Sequence, residues 1–358
     1  MAINKANDFF VQWHLTEKCN LRCTHCYQTG KGTDEMRLGE IKATISEIEE
    51  MLRAWSEAYG LEFSPSFNIT GGEPLLHGDI FEILEEMRRR RFDVYLLSNG
   101  ALMSEEKAKL LSWLGVRGVQ VSIEGPEKIH DSIRGKGSFS SSLKGIGYLL
   151  DADIKVSLNV TLSDINADHF MDMISLSSSL GVQKLGFSRL VPSGRGTVLL
   201  NRMLDKERVK ELYRTIFSQN TNGLEIVTGD PVASRMTAID DAADSGSFPA
   251  GGCAAGVSGF TILPDGTITP CRRLPIPVGN VRKDDLREIW ATSGVLEALR
   301  DRSRYNEKCQ TCKRWADCRG CRAIAYAYSR SKGEDDYLAE DPQCFYRDEI
   351  EDALMNKL

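Results

Sequence analysis

The 358-residue chain lacks the features that would place it in several broad classes. It has no apolar run approaching the ~18 residues that a membrane span needs, so no membrane association is expected. Its first residues, MAINKANDFFVQWHLTEKCN, show no basic-then-apolar signal pattern ending in small residues. Secretion is therefore not expected, and a cytoplasmic location is. It also lacks a basic excess: 45 Lys and Arg against 51 Asp and Glu leave a net charge of −6. That balance gives no general attraction to nucleic acid or anionic lipid. The run Arg88 to Arg91 closes an expected helix, where cations suit the dipole, and no aromatics interleave it.

A further absence is more informative. Residues 27–252, 226 in all, contain no cysteine, yet the chain has ten. Three lie within eight residues, four within thirteen, and seven in the last 106. In a reducing compartment ten cysteines would not persist as five disulfides, and clustering of this kind points to metal ligation. With 41% hydrophobic and 27% charged residues, the rest of the chain has the balance of a soluble globular protein of two or three domains.

The first half alternates in period. Strands are expected over Phe9–Leu15, Phe67–Thr70, Val94–Leu97, Val119–Ile123, Lys155–Val160 and Lys184–Phe187. Helices are expected over Leu38–Tyr59, Ile80–Arg91, Ser104–Trp113, Phe139–Leu150 and Ala167–Leu180. About six strand–helix units imply an α/β fold, a parallel sheet or partial barrel, with its site at the carboxyl ends of the strands. Val191–Gly196 breaks the pattern, a helix follows from Asp205 to Gln219, and residues 245–259 are rich in Gly, Ala and Ser. A second domain is expected from near Ala250, opening with a hairpin through Pro264-Asp265-Gly266.

The first cysteine group is Cys19-x3-Cys23-x2-Cys26, on a loop just after the first strand. Three thiolates can hold three corners of a [4Fe–4S] cube and leave one iron open. A zinc site with His25 as fourth ligand is the alternative on spacing alone. Gly71-Gly72-Glu73-Pro74 follows the second strand. Its glycines let backbone approach a ligand, and its acid can accept hydrogen bonds from an ammonium.

C-x3-C-x2-C after the first strand, followed by GGEP, resembles the radical S-adenosylmethionine (radical SAM) superfamily. The resemblance implies that Cys19, Cys23 and Cys26 ligate a [4Fe–4S] cluster whose open iron is chelated by SAM. Reductive cleavage of SAM would yield a 5′-deoxyadenosyl radical that abstracts hydrogen from the substrate. Gly71, Gly72 and Glu73 would hold the SAM amino group. Ser98 and Asn99, Ser122, Glu124 and Arg134 match strand-end positions that contact SAM. Each has a plainer reading: Ser98 and Asn99 as turn caps, Glu124 and Arg134 as a surface ion pair.

The second group is Cys253, Cys271, Cys309-x2-Cys312-x5-Cys318-x2-Cys321 and Cys344. Alone, two CxxC pairs would suggest a zinc ribbon. With PDGTITPCRRLPIPVGN, CRGCRAIAYAYS and AEDPQCF, the series resembles the SPASM domain, a cluster-bearing extension of radical SAM enzymes. The resemblance implies two auxiliary clusters, one held by Cys309, Cys312, Cys318 and Cys344, the other by Cys253, Cys271 and Cys321. The implied fold is a partial (β/α)6 TIM-like barrel over residues 1–200, a connecting helical region over 201–250 and a small iron–sulfur SPASM domain over 251–358.

The leading expectation is an enzyme acting on a ribosomally made peptide. A low-potential electron donor such as ferredoxin or flavodoxin would feed it. No leader-binding domain precedes Cys19, so a separate leader-recognition protein is expected. A tetrapyrrole or other small-molecule substrate, or sulfatase maturation, is the alternative with the same chemistry. A non-catalytic zinc or iron–sulfur protein is the alternative without it.

Overall fold

The computed structural model describes residues 8–29, 34–221, 223–236 and 246–346. Ser245, at the head of the Gly-, Ala- and Ser-rich stretch, lies outside the described residues, as do 1–7 and 347–358 of the expected terminal domains. The elements run β1 (Asp8–His14), α1 (Leu38–Tyr59), β2 (Ser64–Thr70), α2 (Ile80–Arg89), β3 (Asp93–Ser98), α3 (Glu105–Trp113) and β4 (Gly118–Ser122). Then follow α4 (Glu127–Arg134), α5 (Ser138–Asp151), β5 (Val156–Leu162), α6 (Phe170–Ser179), β6 (Lys184–Arg189), α7 (Lys206–Ser218) and β7 (Glu225–Thr228). The C-terminal part has β8 (Gly259–Ile262), β9 (Thr267–Thr269), β10 (Gly279–Asn280), α8 (Leu286–Thr292), α9 (Gly294–Arg300), α10 (Glu307–Gln310) and α11 (Arg322–Ser331).

Among the described residues these strands form one sheet, in the order β10-β9-β8-β1-β2-β3-β4-β5-β6-β7. Neighbours from β1 to β7 are parallel, as crossover helices require. The expected hairpin is present, but β8 also pairs in parallel with β1. The ladder is therefore continuous across residue 250. Strand β7 falls where an irregular stretch was expected; it is only four residues long and half-buried, so its hydrophobic signal is weak. Helix α4 was also not anticipated: it is only eight residues long and polar overall, although Ile129, His130 and Ile133 fall on one face.

The strands alternate in an instructive way. In β5, Val156, Leu158, Val160 and Leu162 are buried against the helices, while Ser157, Asn159 and Thr161 take the other face. Gln12, Asn68, Thr70, Gln120, Ser122 and Ser188 share that inner face, and all of them line cavities. The register sets Gln12 beside Asn68, Ser122 beside Asn159 and Thr161 beside Ser188. An ordinary barrel packs its centre with branched apolar side chains. Here the outer face is the core, and the inner face carries uncharged polar side chains with Phe10 and Leu97 among them. Such a lumen is shaped to be filled by ligands. Among the described residues no helix is long and apolar enough to cross a membrane.

One buried ionic network ties β6 to the C-terminal cysteines. Arg189, at the end of β6, donates to both Asp230 oxygens at 2.5 and 2.9 Å and to both Asp341 oxygens at 2.8 and 3.0 Å. Gln343 Oε1 accepts from it at 2.9 Å, and Tyr213 donates to Asp230 at 2.9 Å. Asp341 in turn accepts the Cys321 N–H at 2.8 Å. Replacing Arg189 with Met leaves two carboxylates buried with too few donors. We expect a loss of about 3–5 kcal/mol, visible as a lowered thermal midpoint and faster iron loss to a chelator. An unchanged midpoint would show that the network is dispensable.

Candidate functional site

The loop of the first three cysteines leaves β1 at the carboxyl end of the sheet and is gripped from several sides. Gly72 donates to Thr16 O at 2.6 Å and Glu73 to Lys18 O at 2.8 Å. Thr24 donates to Ile133 O at 2.9 Å, and Gly196 to Cys26 O at 3.0 Å. At Gly71, with φ of +155°, an added Cβ would lie 2.6 Å from Thr16 O, and at Gly72 it would strike the Lys18 carbonyl. The glycines thus admit the backbone of the cysteine loop itself, besides lining the cavity.

That cavity is lined by Cys19, Cys23 and Cys26 together with Gly71, Gly72, Ser98, Asn99, Ser122 and Arg134. Polar N–H groups aim at the sulfurs: Leu21 N at 3.4 Å and Asn99 Nδ2 at 4.0 Å from Cys19, and Arg134 Nη1 at 3.8 Å from Cys23. Burial pushes the Cys19 and Cys23 thiols up, so an electropositive centre is needed to hold them as thiolates. Three thiols on one cavity with donors at their sulfurs fit the ligand set of an iron–sulfur cluster with an open iron.

Two expected SAM contacts sit differently from their motif reading. Glu73 is fully buried, and Ser98 Oγ at 2.8 Å and Asn99 N at 2.9 Å donate to its carboxylate. Burial raises its pKa against those bonds. It therefore braces the β3 end that presents Ser98 and Asn99 to the cavity. Glu124 and Arg134 pair with each other, at 2.5 and 2.9 Å, but not on the surface: their side chains are 0% and 11% exposed. Thr161 N donates to Glu124 at 2.8 Å, and His25 Nε2 lies 3.4 Å from it. Burial opposes the Glu124 charge, yet Arg134 and His25 hold its carboxyl below the usual range. Burial brings His25 down to about 4, so its ring is neutral at pH 7. Arg134 is left with one edge on Glu124 and the other toward Cys23 and the cavity.

The remaining cysteines divide between two more cavities. Cys309, Cys312, Cys318 and Cys344 line one. Cys253, Cys271 and Cys321 line the other, which opens on the lumen beside Gln12, Asn68 and Gln120. Burial raises Cys344 to about 11 and Cys321 to about 12, the environment of ligands that need a metal centre to ionise. Among the described residues no group of three or more Cys, His, Asp or Glu is gathered around a single-ion position; the thiols surround cavities instead.

The family model for the radical SAM superfamily matches residues 13–177, and that for the SPASM iron–sulfur cluster-binding domain matches 253–313. The AdoMet-dependent heme synthase of Methanosarcina barkeri is 31% identical over 348 residues, covering 94% of this chain and 96% of that one. The chain belongs to the radical SAM superfamily. It also carries a SPASM domain, so [4Fe–4S] clusters and SAM are its cofactors. The mycofactocin maturase MftC of Mycobacterium tuberculosis is 28% identical over 329 residues, 88% of this chain and 78% of that one. Among solved structures, Streptococcus suis SuiB bound to its precursor peptide SuiA superposes with a TM-score of 0.73 at 15% identity, covering 94% of this chain and 76% of that one. That likeness extends the partial barrel and SPASM arrangement to nearly the whole radical SAM chain.

Several site residues carried no motif. Arg195, Arg272 and Arg273 line the first cavity, as do Gln120, Asn159, Thr161 and Ser188. The polar half of each strand's alternation was the available signal for the last four. For the arginines, Arg195 in a short 3-10 segment and Arg272 and Arg273 in a turn, there was none.

Arg134→Ala leaves Glu124 buried without its guanidinium. The expected destabilisation is about 3–5 kcal/mol, partly recovered in Arg134→Ala/Glu124→Gln. Glu124's folded pKa lies below its unfolded value of about 4.3, so the pair's contribution is complete above that value and fades as pH falls through the lowered one. In Arg134→Ala, burial without the guanidinium pushes Glu124 up instead, so the variant loses stability as pH rises above about 4.3. The gap between the two unfolding midpoints should therefore widen with pH and then level off; a gap that is the same at about pH 4 and about pH 8 would contradict this assignment.

Proposed function

We propose that this radical SAM enzyme is a maturase of a ribosomally made peptide, in which Cys19, Cys23 and Cys26 hold the cluster that cleaves SAM. When bound, cluster and SAM supply a carbon radical that takes a hydrogen atom from the substrate. The chain's own residues position and enclose that event. Gly71, Gly72, Ser98, Asn99, Ser122 and Arg134 would orient SAM, with Glu73 bracing the β3 end and Glu124 aligning Arg134. Cys309, Cys312, Cys318 and Cys344 would hold one auxiliary cluster, and Cys253, Cys271 and Cys321 the other. A ferredoxin or flavodoxin would deliver the electron, and a separate protein would present the leader segment.

The observation that carries the peptide reading is a groove. It begins at Tyr27, Arg272 and Arg273, which also line the first cavity, and runs past Pro192, Ser193 and Pro275. It reaches the surface at the exposed Thr197, Arg330 and Ser331. A groove open to solvent at one end and meeting the radical site at the other admits an extended chain one residue at a time. The mycofactocin maturase and the Bacillus subtilis sporulation killing factor maturation protein, 28% identical over 88% and 79% of the chain, support this reading. A second reading, a tetrapyrrole substrate, is favoured by the heme synthases, which match over 94% of the chain.

The test is anaerobic turnover with SAM, dithionite and a perdeuterated short peptide encoded beside this chain's gene. We expect deuterium in the 5′-deoxyadenosine and a mass change in the peptide. The triple variant Cys19→Ala/Cys23→Ala/Cys26→Ala should give neither. Deuterium transfer from iron coproporphyrin III and none from the peptide would select the tetrapyrrole reading.

A further inference from the structure

Three cavities meet at one turn. After β9, Cys271 to Leu274 close a tight turn in which Leu274 N donates to Cys271 O at 2.9 Å. Arg272 and Arg273 are its two central residues. Both line the first cavity, the Cys253–Cys271–Cys321 cavity and the surface groove. Whatever enters by the groove and reaches the first cavity passes these two guanidinium groups.

The charge around them is one-sided. The chain holds 51 acids against 45 Lys and Arg, yet among the described residues no Asp or Glu lines any of the three cavities. Five arginines do, and four have partners. Arg134 is paired with Glu124, and Arg330 Nε lies 3.6 Å from Asp335. Arg195 Nε donates to Cys23 O and Arg273 Nη1 to Arg189 O, each at 3.4 Å. Arg272 stands apart: among the described residues it has no hydrogen bond or ion pair, and its guanidinium lies over the Tyr27 ring at 5.8 Å from the centroid. Five N–H donors on a partly buried cation, with no acceptor supplied by the protein, are costly unless a ligand accepts them.

We propose that Arg272, with Arg273 beside it, is a specificity-determining residue that binds a carboxylate of the substrate where the groove meets the first cavity. This deepens the peptide reading and rests on it for the source of the carboxylate, an Asp or Glu side chain near the reacting residue. The planar guanidinium fork matches a carboxylate bidentately, and the Tyr27 ring, 5.8 Å away, flanks it. A neutral isostere of the same shape would leave donors unpaired, which is how a buried polar site rejects near-identical ligands. The carboxylate would sit within the lumen, so the Arg272 contact would set which neighbouring carbon faces SAM.

The experiment uses the anaerobically reconstituted full chain with SAM in saturating excess, dialysed against two pools of capped pentapeptides. One pool has Glu at its centre and the other Gln, with the remaining positions randomised. Retention of the Glu pool should exceed that of the Gln pool by about tenfold or more. The preference should fall to parity in Arg272→Gln and return in part in Arg272→Lys. Equal retention of both pools by the wild-type chain overturns the proposal while leaving the peptide reading standing. A Glu preference that SAM abolishes also overturns it, because Arg272 would then belong to the carboxylate of SAM. If neither pool is retained, iron coproporphyrin III is the second probe. Binding that Arg272→Gln weakens tenfold keeps the carboxylate site and defeats the peptide reading; no binding, or binding indifferent to Arg272, defeats both. Should Arg272→Gln fail to hold its iron, the wild-type Glu-to-Gln ratio and Arg272→Lys decide.

Discussion

The structure depends on a single buried cation. Arg189 ends β6 inside the protein, its side chain fully excluded from solvent, and gathers Asp230, Asp341 and Gln343 around its fork. Asp341 then fixes the backbone of Cys321, and Gln343 lies next to Cys344. Two cysteine-bearing loops are thus referenced to the end of a barrel strand. Such a network is weak as a source of stability, because desolvating three charges offsets most of their attraction. Its value lies in direction: a bidentate fork accepts its partners in one geometry, so the cysteine-bearing loops have one place to sit relative to the lumen.

The same logic recurs at the first cysteine loop on a smaller scale. Glu124 and Arg134 are too buried to be tolerated singly, and as a pair they leave one edge of Arg134 toward Cys23. Glu73 spends its acceptors on Ser98 and Asn99, so the β3 end cannot drift from the GGE turn. Each charged group near the thiols is therefore either neutralised by a neighbour or turned toward a cavity. Arg272 is of the second kind, facing the groove and its two neighbouring cavities with no acceptor among the described residues.

The lumen follows from one inversion of ordinary packing. Apolar residues occupy the helix-facing side of the strands, and the inner side carries Gln12, Asn68, Gln120, Asn159 and Thr161. Amides and hydroxyls hydrogen-bond in either direction without carrying charge, so they can surround SAM, substrate and cluster without imposing a field of their own. The field is left to the cysteines and the loop arginines.

By itself the sequence determined what local pattern can encode. The C-x3-C-x2-C and SPASM cysteine series, the GGEP turn and the alternation of strands and helices identify the superfamily and the parallel barrel, because ligand spacing and hydrophobic period are short-range properties. Only the tertiary structure decided the rest. Arg189 meets Asp230 across 41 residues and Asp341 across 152, and no window of sequence records that. Whether Glu73 faces SAM or a neighbouring strand end, and whether Glu124 and Arg134 are exposed or buried, depends on which chains pass nearby. Cys318 and Cys321, three positions apart, line different cavities because the chain bends sharply between them, with Arg319 and Gly320 both at a φ of +62°. Arg272 and Arg273 read as ordinary loop residues until the turn after β9 folds back to the mouth of the barrel, where no Asp or Glu among the described residues lines the cavities they face.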